Sequence, residues 1–285
     1  MAVIKESTLI KTKTLGKKIF VYLLLIPICI FMVLPYFWIL ITSLKTVAEV
    51  FHSPIIIFSR NMGLFNFRDA IDKGVLIRLW NTFFISFTAT ILRLFFCALA
   101  GYGFAKFRFP GRDILFSVLI ASMIVPFAVI LVPLYIMMVN FHWIDTFLPL
   151  IIPGAASAFG IFFMRQYIRT IPDELLDAAR IDGCSEFGIF TRVIIPVITP
   201  GLISLGLIFF MQVWNDFLLP LVILKTPENQ TLPVMIASFF GVPGKTNMYT
   251  LQMAIAVISI TPLIIIFLIF QRRFTAGITA GAVKG

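Results

Sequence analysis

Six long runs of apolar residues constrain the fold of this chain more than any other feature. Each run is close to the ~20 residues that an α-helix needs to cross the hydrocarbon core of a bilayer. The runs are continuously apolar rather than alternating, which favours helices over the strands of a membrane barrel. They cover residues 19–41, 79–104, 114–138, 147–164, 201–224 and 251–270.

The composition excludes a water-soluble fold. Hydrophobic residues make up 60% and charged residues 13% of the 285 residues, whereas soluble domains hold about 45–50% and about 25%. A soluble protein of this size cannot hide that much apolar surface. The sequence therefore predicts an all-α integral membrane protein, a single transmembrane domain over 1–285 with six spanning helices. Prolines within the later runs predict kinks, at positions 126, 133, 149, 153, 220 and 262.

The distribution of basic residues predicts the orientation in the membrane. The net charge is +10, which in a soluble protein would suggest nucleic-acid binding. In membrane proteins Lys and Arg instead collect on the cytoplasmic side. With both termini inside, fifteen basic residues lie in cytoplasmic segments and seven in outer ones. We therefore expect cytoplasmic segments at 1–18, 165–196 and 271–285, an outer loop at 225–250, and no nucleic-acid partner.

Residue types that carry out chemistry are scarce. Two histidines in the whole chain argue against a His-ligated metal site, and three cysteines suggest no disulfide framework. The run Gly244-Lys245-Thr246 is not a phosphate loop, because Phe239 stands where that motif requires Gly. We expect no catalytic residue, metal or cofactor, so the energy for any transport comes from a partner or an ion gradient.

The polar segment 165–196 separates the fourth and fifth apolar runs and contains five of the thirteen acidic residues. Its pattern predicts two helices joined by a turn. A capping box of Thr170 and Asp173, with Pro172 in the first turn, would start the first helix. Gly183 would end that helix in a left-handed conformation. Ser185 and Glu186 would start a second helix, which would end at Pro196.

Each of these two helices has a predicted apolar face. The first face contains Leu175, Ala178 and Ala179, and the second contains Phe187, Phe190 and Ile194. The residues allow two interpretations. The segment either caps the bundle at the membrane surface, or presents small residues and carboxylates to a basic partner.

One run in this segment resembles the "EAA" loop of ABC-importer permease subunits. It reads Asp177-Ala178-Ala179-Arg180-Ile181-Asp182-Gly183, with Phe190 and Pro196 downstream. Asp177 replaces the Glu that is usual in the family, so its carboxylate reaches one methylene less far. Other runs are similar to the six-helix, maltose-permease type of carbohydrate importer. These are Asn81-Thr82, Phe109-Pro110-Gly111-Arg112, Trp214-Asn215-Asp216-Phe217 and the tail 279–285.

The resemblance implies a non-catalytic permease with the type I importer fold, in a bacterial-type cytoplasmic membrane. It implies four kinds of partner: a second homologous permease, two copies of a cytoplasmic ATPase, an extracytoplasmic solute-binding protein and a carbohydrate substrate. The EAA loop would be the coupling element that contacts the ATPase. By similarity that contact would involve Glu174, Asp177, Ala178, Ala179, Asp182 and Gly183.

The resemblance also assigns two peripheral regions. The outer loop would reach the binding protein through Pro243, Gly244, Lys245 and Thr246, although an idle surface loop remains an alternative. The tail after Arg273 is expected to be flexible and to contact the ATPase through Ala282, Val283, Lys284 and Gly285.

A candidate translocation path lies near the end of the fifth run, at Trp214, Asn215, Asp216 and Phe217. Polar groups beside an aromatic face suit a sugar, but Asp216 could equally form a structural hydrogen bond to a neighbouring helix. Arg93, in the middle of the second run, could pair with the bundle, Asp216 included, or with the partner permease, or it could contact the substrate. A gradient-driven carrier is the alternative function, because such carriers couple ions through carboxylates within the membrane.

Overall fold

A computed structural model of the chain describes residues 2–52, 57–58, 61–239 and 248–282, and within these it describes side chains only between residues 20 and 271. All regular structure in these ranges is helical, which confirms the predicted all-α class. The chain divides into two compact units. One contains 1–70 and 241–257, and the other contains 71–240 and 258–285. A single domain over 1–285 stays a prediction.

The helices follow one another along the chain with short connections. The α-helices in the described residues are α1 (Ala2–Ser43), α2 (Val47–Val50), α3 (Phe65–Asp72), α4 (Val75–Lys106), α5 (Arg112–Ser122), α6 (Phe127–Asn140), α7 (Leu148–Ile151), α8 (Ala158–Ile168), α9 (Asp173–Ile181), α10 (Glu186–Ile189), α11 (Ile195–Trp214), α12 (Leu218–Ile223), α13 (Leu232–Ser238) and α14 (Tyr249–Ala282). A π-helical turn (Phe190–Ile194) joins α10 to α11, and a 3₁₀ turn (Pro227–Asn229) precedes α13.

Four helices in the described part of the chain are long and apolar enough to span a membrane: Phe20–Ser43, Val75–Lys106, Glu186–Trp214 and Tyr249–Gln271. The fifth predicted run, 201–224, is not one helix, because α11 ends at Trp214 and α12 begins at Leu218. The third predicted run forms α5 and α6, which meet at a bend of 99° and raise the number of spans to five if counted as one. The fourth run, 147–164, forms α7 and α8, separated by an irregular stretch at 152–157.

Prolines explain the breaks in the third and fourth runs. Pro126 lies at the N-cap of α6, immediately after the bend. Pro149 lies in α7, and Pro153 and Gly154 lie in the irregular stretch before α8. Proline lacks a backbone N–H and restricts the residue before it, so a helix tends to end there. Continuous hydropathy locates both runs correctly but conceals these breaks.

Small residues allow close packing of α4, α8 and α11, the main helix contacts of the larger unit. A Cβ atom at Gly101 of α4 would lie 2.6 Å from the Cβ of Met164 in α8. A Cβ atom at Gly160 would lie 2.5 Å from the Sγ of Cys97 and 2.6 Å from the ring of Phe209. Glycines at helix contacts let membrane helices approach this closely.

An apolar core, which we call the inner core, extends from these helices into the polar segment. Leu176 and Ala179 of α9 belong to it, as do Phe190 and Ile194 of the π-helical turn. Its buried members are Cys97, Ala98, Tyr102, Ile161, Met164, Ile168, Ile171, Leu176, Ala179, Ile189, Phe190, Ile194, Ile198, Leu205 and Phe209. The polar segment is therefore packed against the helices of the bundle and is not a loop without contacts to them.

The smaller unit is held by a buried amide. The Asn66 side-chain N–H₂ donates to the carbonyl oxygens of Ser43 and Lys45, each at 2.8 Å. Its oxygen accepts a hydrogen bond of 2.9 Å from the Thr250 hydroxyl. Asn66 thus fixes the end of α1 and the start of α14 within this unit.

Candidate functional site

The first helix of the polar segment starts without the predicted capping box. Pro172 occupies the N-cap of α9, and no side chain caps that position. The Thr170 hydroxyl instead donates to the carbonyl of Tyr167 at 2.7 Å. The capping-box prediction is wrong because Thr170 belongs to the turn that ends α8. Asp173 and Glu174 occupy the first turn of α9 as predicted, where they favour the helix dipole.

The turn between the two helices has the predicted geometry. Gly183 has a φ of 79°, and the N–H of Cys184 donates to the carbonyl of Ala179 at 3.0 Å. This is the left-handed ending of a Schellman motif. The Ser185 hydroxyl then accepts a hydrogen bond of 3.2 Å from the N–H of Gly188, which confirms the second N-cap.

Pro196 does not end the second helix. The N–H of Ile195 donates to the carbonyl of Phe190, five residues earlier, and α11 continues to Trp214. The wider π-helical turn places Pro196 in the first turn of α11, where a missing N–H costs least. The prediction failed because a π-helical turn has no clear sequence signal.

The buried face of α9 agrees with the predicted one only at Ala179, because Leu176 is buried in place of Leu175. Leu176 is 1% exposed and Ala179 8% exposed, whereas Leu175 and Ala178 are exposed. In the second helix Phe190 is buried as predicted, together with Ile194, but Phe187 is exposed. Apolar residues occur on both sides of α9, so periodicity alone did not identify the side that packs inwards.

The opposite side of α9, the turn that follows it and the exposed Phe187 of α10 form a surface of apolar and acidic residues, which we call the α9 surface. Its apolar members include Ile181, the most exposed large apolar side chain described, at 86%. The α9 surface consists of Glu174, Leu175, Asp177, Ala178, Ile181, Asp182, Gly183 and Phe187, all exposed. Five of the six predicted coupling residues lie on it, while Ala179 packs into the inner core.

Arg180 links the two helices of the polar segment, a role that the sequence analysis did not assign. Its Nη1 donates to Asp177 and its Nε to Glu186, each at 2.8 Å. Glu186 also accepts a hydrogen bond of 3.0 Å from the Tyr102 hydroxyl of α4. The hydrogen bonds from Arg180 to Glu186 and then Asp177 raise the pKa of Arg180. Asp177, which replaces the family's usual Glu, is therefore engaged within this chain.

A second ion pair holds the start of α9. The ammonium of Lys106, at the end of α4, lies 2.6 Å from the Asp173 carboxylate and also donates to the carbonyl of Ile171. The hydrogen bond from Lys106 lowers the pKa of Asp173. Lys106 and Arg180 together fix the polar segment against α4.

The candidate path residues occupy different environments. Trp214 is buried, and its indole N–H donates to the carbonyl of Ser259 at 3.2 Å. Asn215 donates to the carbonyl of Met211 at 2.8 Å, and Phe217 precedes α12. Of these four residues, Asp216 lines a cavity of about 690 Å³.

Arg93 lines the same cavity from α4. Its guanidinium lies against Gly154, where an added Cβ atom would be 2.2 Å from Nη2. It also lies over the Phe209 ring, 5.8 Å from the centroid. The charges of Arg93 and Asp216 interact electrostatically. Their side-chain nitrogen and oxygen atoms nevertheless lie more than 4.0 Å apart, the largest distance that counts as an ion pair. The Nε of Arg93 is buried and has no hydrogen-bond partner among the described residues.

Three side chains, which we call the outer clamp, hold the described part of the outer loop. The amide of Asn81 donates to the carbonyls of Glu228 at 2.7 Å and Gln230 at 3.2 Å. The Thr82 hydroxyl accepts a hydrogen bond of 2.9 Å from the N–H of Leu232. Asn81 and Thr82 thus hold the described part of the outer loop against α4.

Asp145 is the third member of the outer clamp. Its carboxylate accepts hydrogen bonds from the N–H groups of Lys225 at 2.8 Å and Thr226 at 3.0 Å, and from the Thr226 hydroxyl. These bonds, with the hydroxyl of Thr226 first, lower the pKa of Asp145 to about 2. Its backbone has a positive φ of 62°, so the tight turn presents the carboxylate to the loop.

The remaining predicted sites fall mostly outside the described residues. Pro243, Gly244, Lys245 and Thr246 of the outer loop lie outside them, as do Val283, Lys284 and Gly285 of the tail. The backbone of α14 is helical up to Ala282, and the flexibility of the tail after Arg273 stays a prediction.

Comparisons with known proteins agree on one family. Residues 93–280 match the model of the binding-protein-dependent transport system inner membrane component. The arabinooligosaccharides transport system permease protein AraQ of Bacillus subtilis is 37% identical, over 88% of this chain and 90% of the relative. The sulfoquinovosyl glycerol transport system permease protein SmoH of Agrobacterium fabrum is 33% identical, over 88% of each chain.

A solved structure shares the fold. It belongs to a bacterial ABC transporter involved in the import of the acidic polysaccharide alginate. The match has a TM-score of 0.79 and 24% identity, and covers 90% of this chain and 96% of the other. This likeness supports the predicted type I importer fold.

The chain belongs to the family of binding-protein-dependent transport system inner membrane components. It is thus a membrane-embedded permease subunit of an ABC importer, as the resemblance implied. The comparisons do not support the alternative, a gradient-driven carrier.

Proposed function

We propose that this chain forms half of the translocation pathway of a sugar or oligosaccharide importer and receives its driving motion from a separate ATPase. Relatives that match over most of the chain carry names of sugar transport systems. The energy would enter through the polar segment, because the described part of the chain presents an exposed surface of mixed apolar and acidic residues there, and the sequence contains no phosphate-loop motif.

The α9 surface is the observation that carries this proposal. It combines three exposed carboxylates with exposed apolar side chains, a pattern typical of a surface that contacts another protein. Behind it, Leu176 and Ala179 are buried in the inner core with residues of α4, α8 and α11. A force on the surface is therefore transmitted to the bundle through packed side chains.

The mechanism follows from the tight connection between the polar segment and the bundle. Arg180 and Lys106 tie α9 to α10 and to the end of α4, so the polar segment moves together with these helices. When two ATPase subunits close on ATP, the segments seated on them would rotate the permeases between inward-facing and outward-facing states. Such rigid-body motion about an interface is a common form of conformational switching.

The remaining partners follow from the family. The second half of the pathway would come from a homologous permease, and the complex would contain two copies of the ATPase. An extracytoplasmic binding protein would deliver the sugar to the outer loop at Pro243–Thr246. The tail at Ala282–Gly285 would contact the ATPase, and both chain termini would be cytoplasmic.

Photo-crosslinking tests the coupling contact. A benzophenone amino acid replaces Ile181, which is 86% exposed on the α9 surface, in the complete importer. We expect an adduct with the ATPase subunit. The matched control carries the same probe at Ile124, which is 81% exposed at the bend between α5 and α6, and gives no such adduct. An adduct of position 181 with the binding protein, or none with the ATPase, would overturn the proposal.

A further inference from the structure

Three helix breaks meet at the cavity that contains Arg93 and Asp216. The bend between α5 and α6 contributes Val125 and Phe127 to its wall, and the break between α7 and α8 contributes Gly154. The break between α11 and α12 contributes Asp216. Three consecutive apolar segments thus lose their helical structure around one space of about 690 Å³.

Breaks in apolar segments are costly unless something compensates for them. Each break frees backbone N–H and C=O groups that hydrocarbon cannot hydrogen-bond. Irregular backbone at membrane depth is therefore found where it lines a water-filled cavity, and discontinuous helices commonly surround a substrate site. The convergence of three breaks indicates that this cavity is a functional site.

The polar groups of the cavity are few and lie among apolar side chains. Arg93, Ser157, Gln212 and Asp216 supply donors and acceptors. The buried Nε of Arg93 has no partner among the described residues, and buried polar groups without a partner are unfavourable. The volume also lies within the range of about 300–1,000 Å³ typical of small-molecule sites.

The charges of the cavity identify the class of ligand. Arg93 and Asp216 bring one positive and one negative charge without forming an ion pair. A carboxylated sugar bound to Arg93 would also face Asp216, and repulsion would weaken its binding. Sugar hydroxyls accept hydrogen bonds from a guanidinium and donate them to a carboxylate. The apolar walls, which include Ile130, Leu134 and Leu219, suit the C–H faces of a sugar ring.

We propose that this cavity is a sugar subsite within this chain, and that Arg93 and Asp216 make it selective for neutral, hydroxyl-rich sugars over acidic ones. The subsite rests on the proposed import function and deepens it. Gly154 is a positioning residue in this account, because the absence of its Cβ leaves the space that the Arg93 guanidinium occupies.

Charge-altering variants test the selectivity. The assembled importer, in nanodiscs without its binding protein, is equilibrated with tritiated arabinotriose or with tritiated digalacturonic acid, and binding is measured by dialysis. We expect the wild type to bind arabinotriose more tightly. Arg93→Gln should weaken arabinotriose binding about tenfold, since a hydrogen bond to a charged group is lost. Asp216→Asn leaves a net positive cavity and should shift the preference towards digalacturonic acid at least fivefold.

Two exposed residues of α3 supply matched controls. Arg68→Gln and Asp72→Asn make the same chemical changes on the surface and should leave both affinities within twofold. If Arg93→Gln does not assemble, Gly154→Ala replaces it, because its Cβ displaces the guanidinium without changing the charge. Gly154→Ala should weaken arabinotriose binding and leave the order of the two sugars unchanged.

The possible results separate the subsite from the import function. Variants at Arg93 and Asp216 that bind both sugars like the wild type, or a wild type that binds neither, would overturn the subsite. In either case ATP-driven sugar uptake by the complete importer could still be measured. Absence of that uptake in the wild type would instead contradict the proposed function.

Discussion

The guanidinium of Arg180 bridges the carboxylates of Asp177 and Glu186, with nitrogen–oxygen distances of 2.8 Å to both. Asp177 lies in α9 and Glu186 begins α10, so one side chain fixes the relative direction of two short helices. The Tyr102 hydroxyl continues this connection from Glu186 into α4. The shape of the α9 surface therefore depends on a residue that is not itself part of that surface.

Replacing Arg180 should disturb coupling more than stability. The carboxylates it pairs with are well exposed, and such pairs contribute less than about 1 kcal/mol each to folding. We expect Arg180→Gln to assemble normally but to hydrolyse several ATP molecules more for each sugar transported. Arg180→Lys should restore coupling only in part, because an ammonium cannot reproduce the two-armed geometry. Arg169→Gln, an exposed Arg of the same segment, is the control. Equal coupling in both Gln variants would contradict the bridging role.

The effect of a substitution at Gly183 should depend on how well the new residue adopts a left-handed backbone conformation and not on the size of its side chain. Its φ is 79°, and a Cβ atom there would meet nothing within 4 Å. A β-branched residue in this region costs about 1–2 kcal/mol, which shifts the population of the native turn by about 5–30-fold. Gly183→Val should therefore uncouple ATP hydrolysis from transport while the complex persists. Gly183→Asn, which accepts a left-handed conformation, should remain largely coupled, and equal effects of the two would refute the argument.

Gly101 and Gly103 of α4 offer a matched pair for the packing of the bundle. A Cβ atom at Gly101 would lie 2.6 Å from the Met164 Cβ and 3.0 Å from the backbone nitrogen of Arg165, whereas one at Gly103 would meet nothing within 4 Å. Overpacking of this kind costs about 1–3 kcal/mol. We expect Gly101→Ala to lower the melting temperature of the purified complex and Gly103→Ala to leave it unchanged or slightly higher. A reversed order would show that α4 and α8 do not approach as described.

Asp145 predicts a pH dependence for the outer clamp. Its pKa in the folded protein is about 2, below the ordinary 3.8. A carboxyl whose pKa is lowered by folding stabilises the fold above its unfolded pKa, and this contribution is lost as pH falls towards the folded value. Asp145→Asn should thus lower the melting temperature of the complex most above about pH 5, and the difference should shrink below about pH 4.

The exposed Asp72 supplies the comparison for this titration. Asp72→Asn should change the melting temperature little at any pH in this range, because its side chain is exposed on α3. An Asp145→Asn difference that stays constant between about pH 5 and pH 3 would rule out the ionised carboxylate as its source.

Local sequence signals predicted local geometry well. Gly183, Ser185 and the acidic first turn of α9 each act through the backbone of their immediate neighbours, and the structure confirms all three. Of the predicted apolar face of α9, Ala179 is buried, whereas Leu175 is exposed and Leu176 is buried in its place. Leu175 and Ile181 are apolar although exposed, so hydrophobic periodicity could not separate the side that packs inwards from the exposed side.

Features that depend on distant residues were not predictable. Asp145 contacts Lys225 and Thr226 across about eighty residues of sequence, and its turn gives no pattern of its own. Hydropathy found every apolar run but not the breaks in three of them, because it does not register where a backbone stops being helical. The cavity consequently became visible only in three dimensions, although Arg93 and Asp216 were recognisable as charges within apolar runs.

Uptake by the reconstituted importer tests the central claim most directly. The complete complex in proteoliposomes is supplied with the binding protein and a tritiated sugar, either with ATP inside or with an imposed ion gradient and no ATP. The account predicts uptake with ATP that persists when an uncoupler removes the gradient, and predicts that Gly183→Val reduces sugar uptake far more than ATP hydrolysis. Uptake that continues without ATP and stops with the uncoupler would contradict it.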